Sequence, residues 1–385
     1  MTYSLIFFVI NYLLFARAEK IVSHHYINDH LNRSNVNLNL TDDNIIIKTG
    51  FNTFVPFSLF KVGKLNLSTP IISNETVHLN NQYESSLYSF NFNIEETEVK
   101  NFKIYLTQVH GNNRADHADD GIGLAYKFDD ESFSYIHYLY NNKFIEHLQF
   151  AFEHDDQNRI GMIHFGGIPS KEYLSMPYKG VLKVNDQFGT WNTKLTGVQF
   201  EQDFYRFNNY AIIHSAFYDI FWSNALNDLM INKIFKNEIE RGECFKREYF
   251  EYSFVQCENS SLPIFEKNIK FKFGNMITTV SIKQLFREQS NHWESIINAN
   301  PYMLYDDAVI MGVRFMQLFN LSVFDYEKKE MRFYSDTTEI EMNDTMPSVN
   351  AGTNKILCIF LMVICLANIA LFVLHLKVKV KDQDL

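Results

Sequence analysis

The sequence predicts a mainly β chain folded as two similar lobes, followed by one membrane-spanning helix near the C-terminus. Three observations predict it. Short apolar or alternating runs such as Ile45-Ile47, Phe102-Leu106, Ile160-Phe165 and Ile269-Phe273 are bounded by Asn, Asp and Gly, the pattern of strands ended by turns. A strand-and-turn unit occurs twice in the same order. Ile356 to Leu376 is an almost wholly apolar run of about 21 residues, the length that crosses a bilayer.

Composition narrows the possibilities. The chain has 385 residues, 46% of them hydrophobic and 16% aromatic, with 7 prolines, so it is neither disordered nor collagen-like. A net charge of -10 argues against general nucleic-acid binding, which uses a basic surface. With 4 cysteines, a chain this long is not held together as a disulfide scaffold.

From the N-terminus, Leu5 to Phe15 is an almost unbroken apolar run and Ala16-Arg17-Ala18 is a small-x-small cleavage pattern. Residues 1–18 read as a secretory signal peptide; an uncleaved anchor or a buried helix is the alternative. A first lobe is expected over 19–180. It carries the first copy of the repeat, Ile45-Ile46-Ile47-Lys48-Thr49-Gly50-Phe51, and then Asp120-Gly121-Ile122-Gly123-Leu124. A second lobe over 181–336 carries Ala211-Ile212-Ile213-His214-Ser215-Ala216-Phe217 and then Val309-Ile310-Met311-Gly312. Each copy is an apolar strand, a polar residue, a small hydroxyl residue, a tiny residue and an aromatic. Each is followed by a Gly-ended strand that lets another backbone pass close by.

Within the second lobe, Leu226, Leu229, Met230, Ile234 and Phe235 recur at helical spacing, which predicts one helix over 224–239, capped by Ser223 and ended by Gly242. Residues 337–355 are polar and weakly patterned and read as a stalk. Residues 356–376 form the expected transmembrane helix. Lys377, Lys379 and Lys381 follow it, so 377–385 is expected in the cytoplasm and the bulk of the chain on the lumenal or extracellular side of a single-pass type I membrane protein. A lipid anchor with tail removal is the competing reading, and the basic stop weighs against it.

That compartment gives meaning to other residues. Asn32, Asn39, Asn66, Asn74, Asn259, Asn320 and Asn343 each begin an Asn-x-Ser/Thr triplet and become candidate glycosylation sites. Cys358 and Cys365 lie in the membrane run, so Cys244 and Cys257 are the pair able to bond in an oxidising compartment.

In this order the landmarks resemble the pepsin-like aspartic proteases. Lys48-Thr49-Gly50 stands where the first Asp-Thr-Gly belongs, and Phe54-Val55-Pro56 is similar to the segment that follows it. Asp120-Gly121-Ile122-Gly123-Leu124 resembles Asp-Gly-Ile-Leu-Gly-Leu, one residue short. Gly161-Met162-Ile163-His164-Phe165-Gly166-Gly167 and the Trp191, Leu195, Val198 strand resemble two further family strands. Cys244 and Cys257, Ile310-Met311-Gly312-Val313-Arg314-Phe315-Met316 and Val323-Phe324-Asp325 resemble the second-lobe disulfide and the two closing strands. The resemblance implies a bilobal pepsin-like fold with a cleft between the lobes, and a covering flap for which Tyr83 is the best match and Tyr88 the next. About 30 residues separate Ala18 from Lys48, which leaves no room for the family's inhibitory prosegment.

The resemblance also implies that the family's chemistry fails. Two carboxylates that share one proton activate water, one as base and one as acid. The matching positions here are Lys48 and His214. A protonated lysine has donors and no acceptor. Histidine can act as a base near neutral pH, but no second carboxylate stands with it. Thr49 and Gly50 survive beside the first position, while Ser215 and Ala216 replace Thr-Gly at the second. No catalytic residue is therefore expected.

Other constellations are weaker. His24, His25 and His30 lack a metal-ligand spacing, and Asp116, His117, Asp119 and Asp120 read as a solvated turn. Asp219, five residues after His214, is within reach of the groove, but the default expectation for an aspartate is the surface. No metal and no cofactor is expected. The expected function is a membrane-anchored pseudoprotease that binds a polypeptide or protein partner in its cleft, on the cell surface or in the secretory pathway. The alternatives are an active endopeptidase with an unconventional site and a structural or adhesive surface glycoprotein.

Overall fold

The computed structural model of the chain describes residues 21–28, 34–36, 45–48, 57–58, 77–79, 83–94, 97–108, 121–127, 134–154, 160–185, 189–215, 217, 219–222, 224–249, 252–258, 262–289, 292–299 and 308–342. The expected signal peptide 1–18, Thr49, Gly50, Ala216, Asn32, Asn39, Asn66, Asn74, Asn259, Asn343, residues 116–120 and the run 356–376 lie outside them. Among the described residues no helix is long and apolar enough to cross a membrane.

Three sheets form among the described residues. Nine strands make the first, in the order Tyr178–Lys183, Glu330–Ser335, Leu321–Asp325, Gln149–His154, Ile160–Phe165, Val22–Asn28, Ser34–Val36, Ile45–Lys48 and Gly121–Gly123. It takes strands from both ends of the chain. Leu321–Asp325 pairs antiparallel with Gln149–His154 on one side and Glu330–Ser335 on the other. All five of its residues are buried, because the sheet is covered on both faces there. Its inner face packs Phe150 on Phe324, ring centroids 4.7 Å apart, with Trp191 edge-on to both.

The second sheet has twelve strands, all from the second half of the chain. Its long hairpin, Asn192–Phe200 with Asp203–Ile213, continues into Asn268–Phe273 and Met276–Ser281. Alternation of buried and half-exposed residues along Asn268–Phe273 puts Ile269, Phe271 and Phe273 into the core. The third sheet joins Phe57–Ser58, Thr97–Gln108, Tyr83–Ile94 and Val77–Leu79. Tyr83, the flap candidate, opens its strand and pairs with Leu79 in register.

Each run predicted as a strand lies in one, and the fold is mainly β, bilobal and pepsin-like. Three expectations need correction. The helix expected over 224–239 is three pieces: α-helix Asn224–Leu229, π-helix Met230–Ile234 and α-helix Lys236–Glu240. The wider π turn keeps Met230, Ile231 and Ile234 buried. Gly242 ends the last piece with φ +72°, the left-handed geometry glycine tolerates. The lobe boundary drawn at 180/181 falls inside the strand Tyr178–Lys183. The folded part also runs past 336: Glu339–Met342, read as stalk, is a strand paired with Met276–Ser281. Cys244 and Cys257 form a disulfide across the paired strands Cys244–Tyr249 and Tyr252–Cys257.

Candidate functional site

The repeated unit of the sequence is a repeated unit of structure. Ile45–Lys48 runs parallel to Gly121–Gly123, with Lys48 opposite Gly123. Asp203–Ile213 runs parallel to Ala308–Met311, with Ile213 opposite Met311. His214 extends that strand by one residue, and its backbone N–H donates to the Met311 carbonyl at 2.9 Å. Lys48 and His214 therefore stand at equivalent ends of two parallel strand pairs. Short connections cannot make parallel neighbours, so each pair requires a long excursion of chain. That is why the landmarks are so far apart in sequence.

Trp191 ties the two units together. Its buried indole N–H donates to the Leu124 carbonyl at 2.6 Å, just after Gly121–Gly123. Its own carbonyl accepts from the Ile213 N–H at 2.8 Å, just before His214. Tyr326 supports it, its hydroxyl donating to the Ala125 carbonyl at 3.0 Å and its ring edge-on to Trp191 at 4.8 Å. One residue thus bridges the segment paired with Lys48 to the strand ending in His214.

His214 is buried and its ring meets Phe217 edge-on, centroids 4.7 Å apart. Ser215 is fully buried. The turn closes tightly. The Phe217 N–H donates to the His214 carbonyl at 3.3 Å, and the Phe217 carbonyl accepts from the Val313 N–H at 2.7 Å.

Asp219 corrects the expectation of a surface aspartate. It is buried where the turn enters the strand Ile220–Trp222. Asn298 donates to its Oδ2 at 2.7 Å, and Arg287 Nη1 lies 3.6 Å from Oδ1. Burial pushes the carboxyl up to about 6, although Arg287 and Asn298 pull the other way. Arg287 in turn bonds Glu294 through Nη2 and Nε at 3.0 and 3.1 Å, and Glu294 meets His292 Nε2 at 2.8 Å. Burial raises the Glu294 carboxyl, but His292 and Arg287 outweigh it and hold the group below its usual range. Arg287, Glu294 and Asn298 carry no motif, and no sequence signal singles them out. Asp219 alone had a trace of one, since it directly precedes a strand whose Ile220 and Trp222 are apolar.

A second polar cluster lies on the nine-stranded sheet, away from the two strand ends. His164 Nε2 meets Glu153 at 2.7 Å, and the Tyr173 hydroxyl donates to the same carboxylate. The bond to His164 is the main cause that holds Glu153 low, against burial. The Asn320 Oδ1 accepts from the Asp336 N–H at 3.0 Å, and Ser322 of the same triplet is fully buried. Among the described residues no three His, Cys, Asp or Glu side chains gather where they could hold a metal ion.

Comparison with known proteins places this geometry. The family model for eukaryotic aspartyl protease matches residues 80–335. Conglutin gamma, a basic 7S globulin from lupine seeds, is similar with a TM-score of 0.59 at 11% identity, over 83% of this chain and 95% of that one. An aspartic proteinase from Irpex lacteus gives 0.56 at 10% identity, over 85% and 99%. Basic 7S globulin from soybean gives 0.57 at 13% identity, over 82% and 97%. At these identities the likeness is one of fold. No curated protein sequence matches the chain.

Proposed function

The chain belongs to the eukaryotic aspartyl protease family, and on that premise we propose that it is a membrane-anchored pseudoprotease that binds a polypeptide in the cleft between its lobes without cutting it. One observation carries the reading: the equivalent ends of the two parallel strand pairs hold Lys48 and His214. In this reading these are the dyad positions. Water activation there needs one group that accepts a proton while another donates one, both at the scissile bond. A lysine ammonium is a donor only. A histidine can accept a proton, but without a carboxyl partner it cannot complete the exchange.

The same fold is found in proteins described as 7S globulins and in one described as an aspartic proteinase, which supports a scaffold kept for something other than peptide hydrolysis. Extended peptides are the natural occupants of a cleft between β lobes, since their backbone pairs with exposed strand edges. With Lys48 and His214 on its floor the cleft favours an acidic ligand. The signal peptide, the apolar run 356–376 and the lysines after it support a type I protein of the cell surface or secretory pathway, with glycans on some of the seven triplets. Nothing in the proposed role uses a metal or cofactor.

The test is binding of a peptide library to full-length protein, compared with Lys48→Glu and His214→Asp variants. The reading predicts enrichment of acidic peptides and their loss in both variants. Identical selections by all three proteins would sink the role assigned to the cleft floor.

A further inference from the structure

Asp219 has a polar environment too poor for an ionised carboxylate. Such a group can accept about four hydrogen bonds. Among the described residues Asp219 receives one, from Asn298 on the strand Ile297–Ala299. Its Oδ1 is buried and has no hydrogen bond among the described residues. The cation nearest that oxygen, Arg287 on Phe286–Gln289, stops at 3.6 Å and is already engaged by Glu294. Glu294, on His292–Ser295 and held by His292, faces the same carboxylate with like charge. Arg314, on the short helix Val313–Met316, acts from the remaining side, and its Nη1 is shared with Gln317. Among the described residues two cations and one other anion therefore surround a carboxylate whose side chain is 12% exposed and whose Oδ1 water does not reach. A buried charge is costly unless it is fully hydrogen-bonded.

We propose that Asp219 is an acid-sensing latch: uptake of a proton by its carboxyl group on mild acidification seats the His214 turn and the second lobe more firmly, and loss of that proton towards neutral pH loosens them. The latch sits where motion would matter. Asp219 ends the turn that carries His214. The next residue, Ile220, donates its N–H to the Ile296 carbonyl at 2.8 Å and pairs with Met311 and Ile297. Tension at Asp219 is thus applied to the strands that hold His214 in place.

The direction follows from linkage. Burial lifts this carboxyl to about 6 from an ordinary value of 3.8, so the folded chain binds the proton more tightly than the unfolded chain does. The stabilisation is present in full below about pH 4 and is lost as pH rises through 6. A rise of about two units corresponds to a change on the order of 100-fold in the unfolding equilibrium between those limits. An ectodomain built this way is firmest in an acidified compartment and looser at a neutral surface. The inference does not depend on what the cleft binds.

The experiment is thermal unfolding of the full-length protein from pH 7.5 to 5, beside Asp219→Asn and Arg287→Gln. Asparagine keeps the shape and the acceptor for Asn298 and imitates the protonated state. At pH 7.5 it is expected to be more stable than wild type, by up to about 100-fold in the unfolding equilibrium, and to lose the gain that wild type shows on acidification. Arg287→Gln removes the attraction that keeps the proton off, so the midpoint of that gain moves to higher pH. Amide exchange over 214–222, corrected for its intrinsic pH dependence, slows on acidification in wild type and is already slow in Asp219→Asn. An Asp219→Asn protein that is less stable than wild type at pH 7.5, or that fails to fold, overturns the proposal, because the uncharged analogue must be the better fit. An unmoved midpoint in Arg287→Gln overturns it as well.

Discussion

Replacing Arg332 with methionine removes a largely buried charge from Glu330–Ser335, the strand next to one edge of the nine-stranded sheet. Arg332 Nη2 donates to Asp325 at 2.9 Å and to Gln149 at 2.7 Å, and its Nε lies 3.6 Å from Glu330. Its side chain is 14% exposed and that of Asp325 is 5% exposed. The bond to Gln149 spans 183 residues, so this one guanidinium joins the C-terminal strands to a strand from the first half of the chain. Methionine fills much of the same volume but leaves the Asp325 carboxylate buried with the Lys328 N–H at 2.8 Å and the Lys328 ammonium at 3.8 Å. Breaking a buried pair from one side costs about 3–5 kcal/mol. Removing Asp325 as well takes away the stranded charge, so the double variant Arg332→Met, Asp325→Asn should recover part of the loss. Denaturant unfolding of the two single variants and the double variant gives the coupling directly, expected at about 2–3 kcal/mol. A cost below about 1 kcal/mol for Arg332→Met, with additive single effects, would refute the reasoning and make the pair no more than a surface ion pair.

Three other perturbations test other parts of the structure. Trp191→Phe deletes the indole donor to Leu124 and should cost about 1–3 kcal/mol, with faster amide exchange over 121–127 than over 192–200. Cys244→Ser opens a crosslink between residues 13 apart in sequence and should lower stability by about 2–4 kcal/mol; alkylation of the intact protein should leave this pair unlabelled. Gly197→Ala drives a methyl group to 2.3 Å from the Phe204 ring and 2.8 Å from the Tyr205 carbonyl. Phe204 is 44% exposed and can swing away, but the backbone contact cannot, so a loss of about 1–3 kcal/mol in chemical unfolding is expected.

What could be read in the sequence was what local chemistry controls. Ile269-Lys270-Phe271 alternates because one face of its strand is core and the other is not, and alternation is visible without a structure. The repeat was legible because a strand end, a turn and a passing backbone each demand particular residue types. Lys48 and His214 stood at matching places in that repeat, and the family resemblance gave those places their meaning. Asp219 was misplaced because its burial is decided by Asn298, 79 residues away, and by Arg287, neither of which leaves a mark near it. The strand Glu339–Met342 was missed for a different reason. It is an edge strand with only Ile340 buried, and a polar edge looks like a linker. The break at Met230 escaped notice because a π turn buries the same side chains that an unbroken helix would.

The most direct test of the central claim is cleavage of a mixed peptide library by full-length protein from acid to neutral pH, with His214→Ala beside it. The account predicts no cleavage by either protein at any pH, together with retained peptide binding by wild type. Cleavage by wild type that disappears in His214→Ala would contradict it and make the chain an active peptidase with His214 in its site.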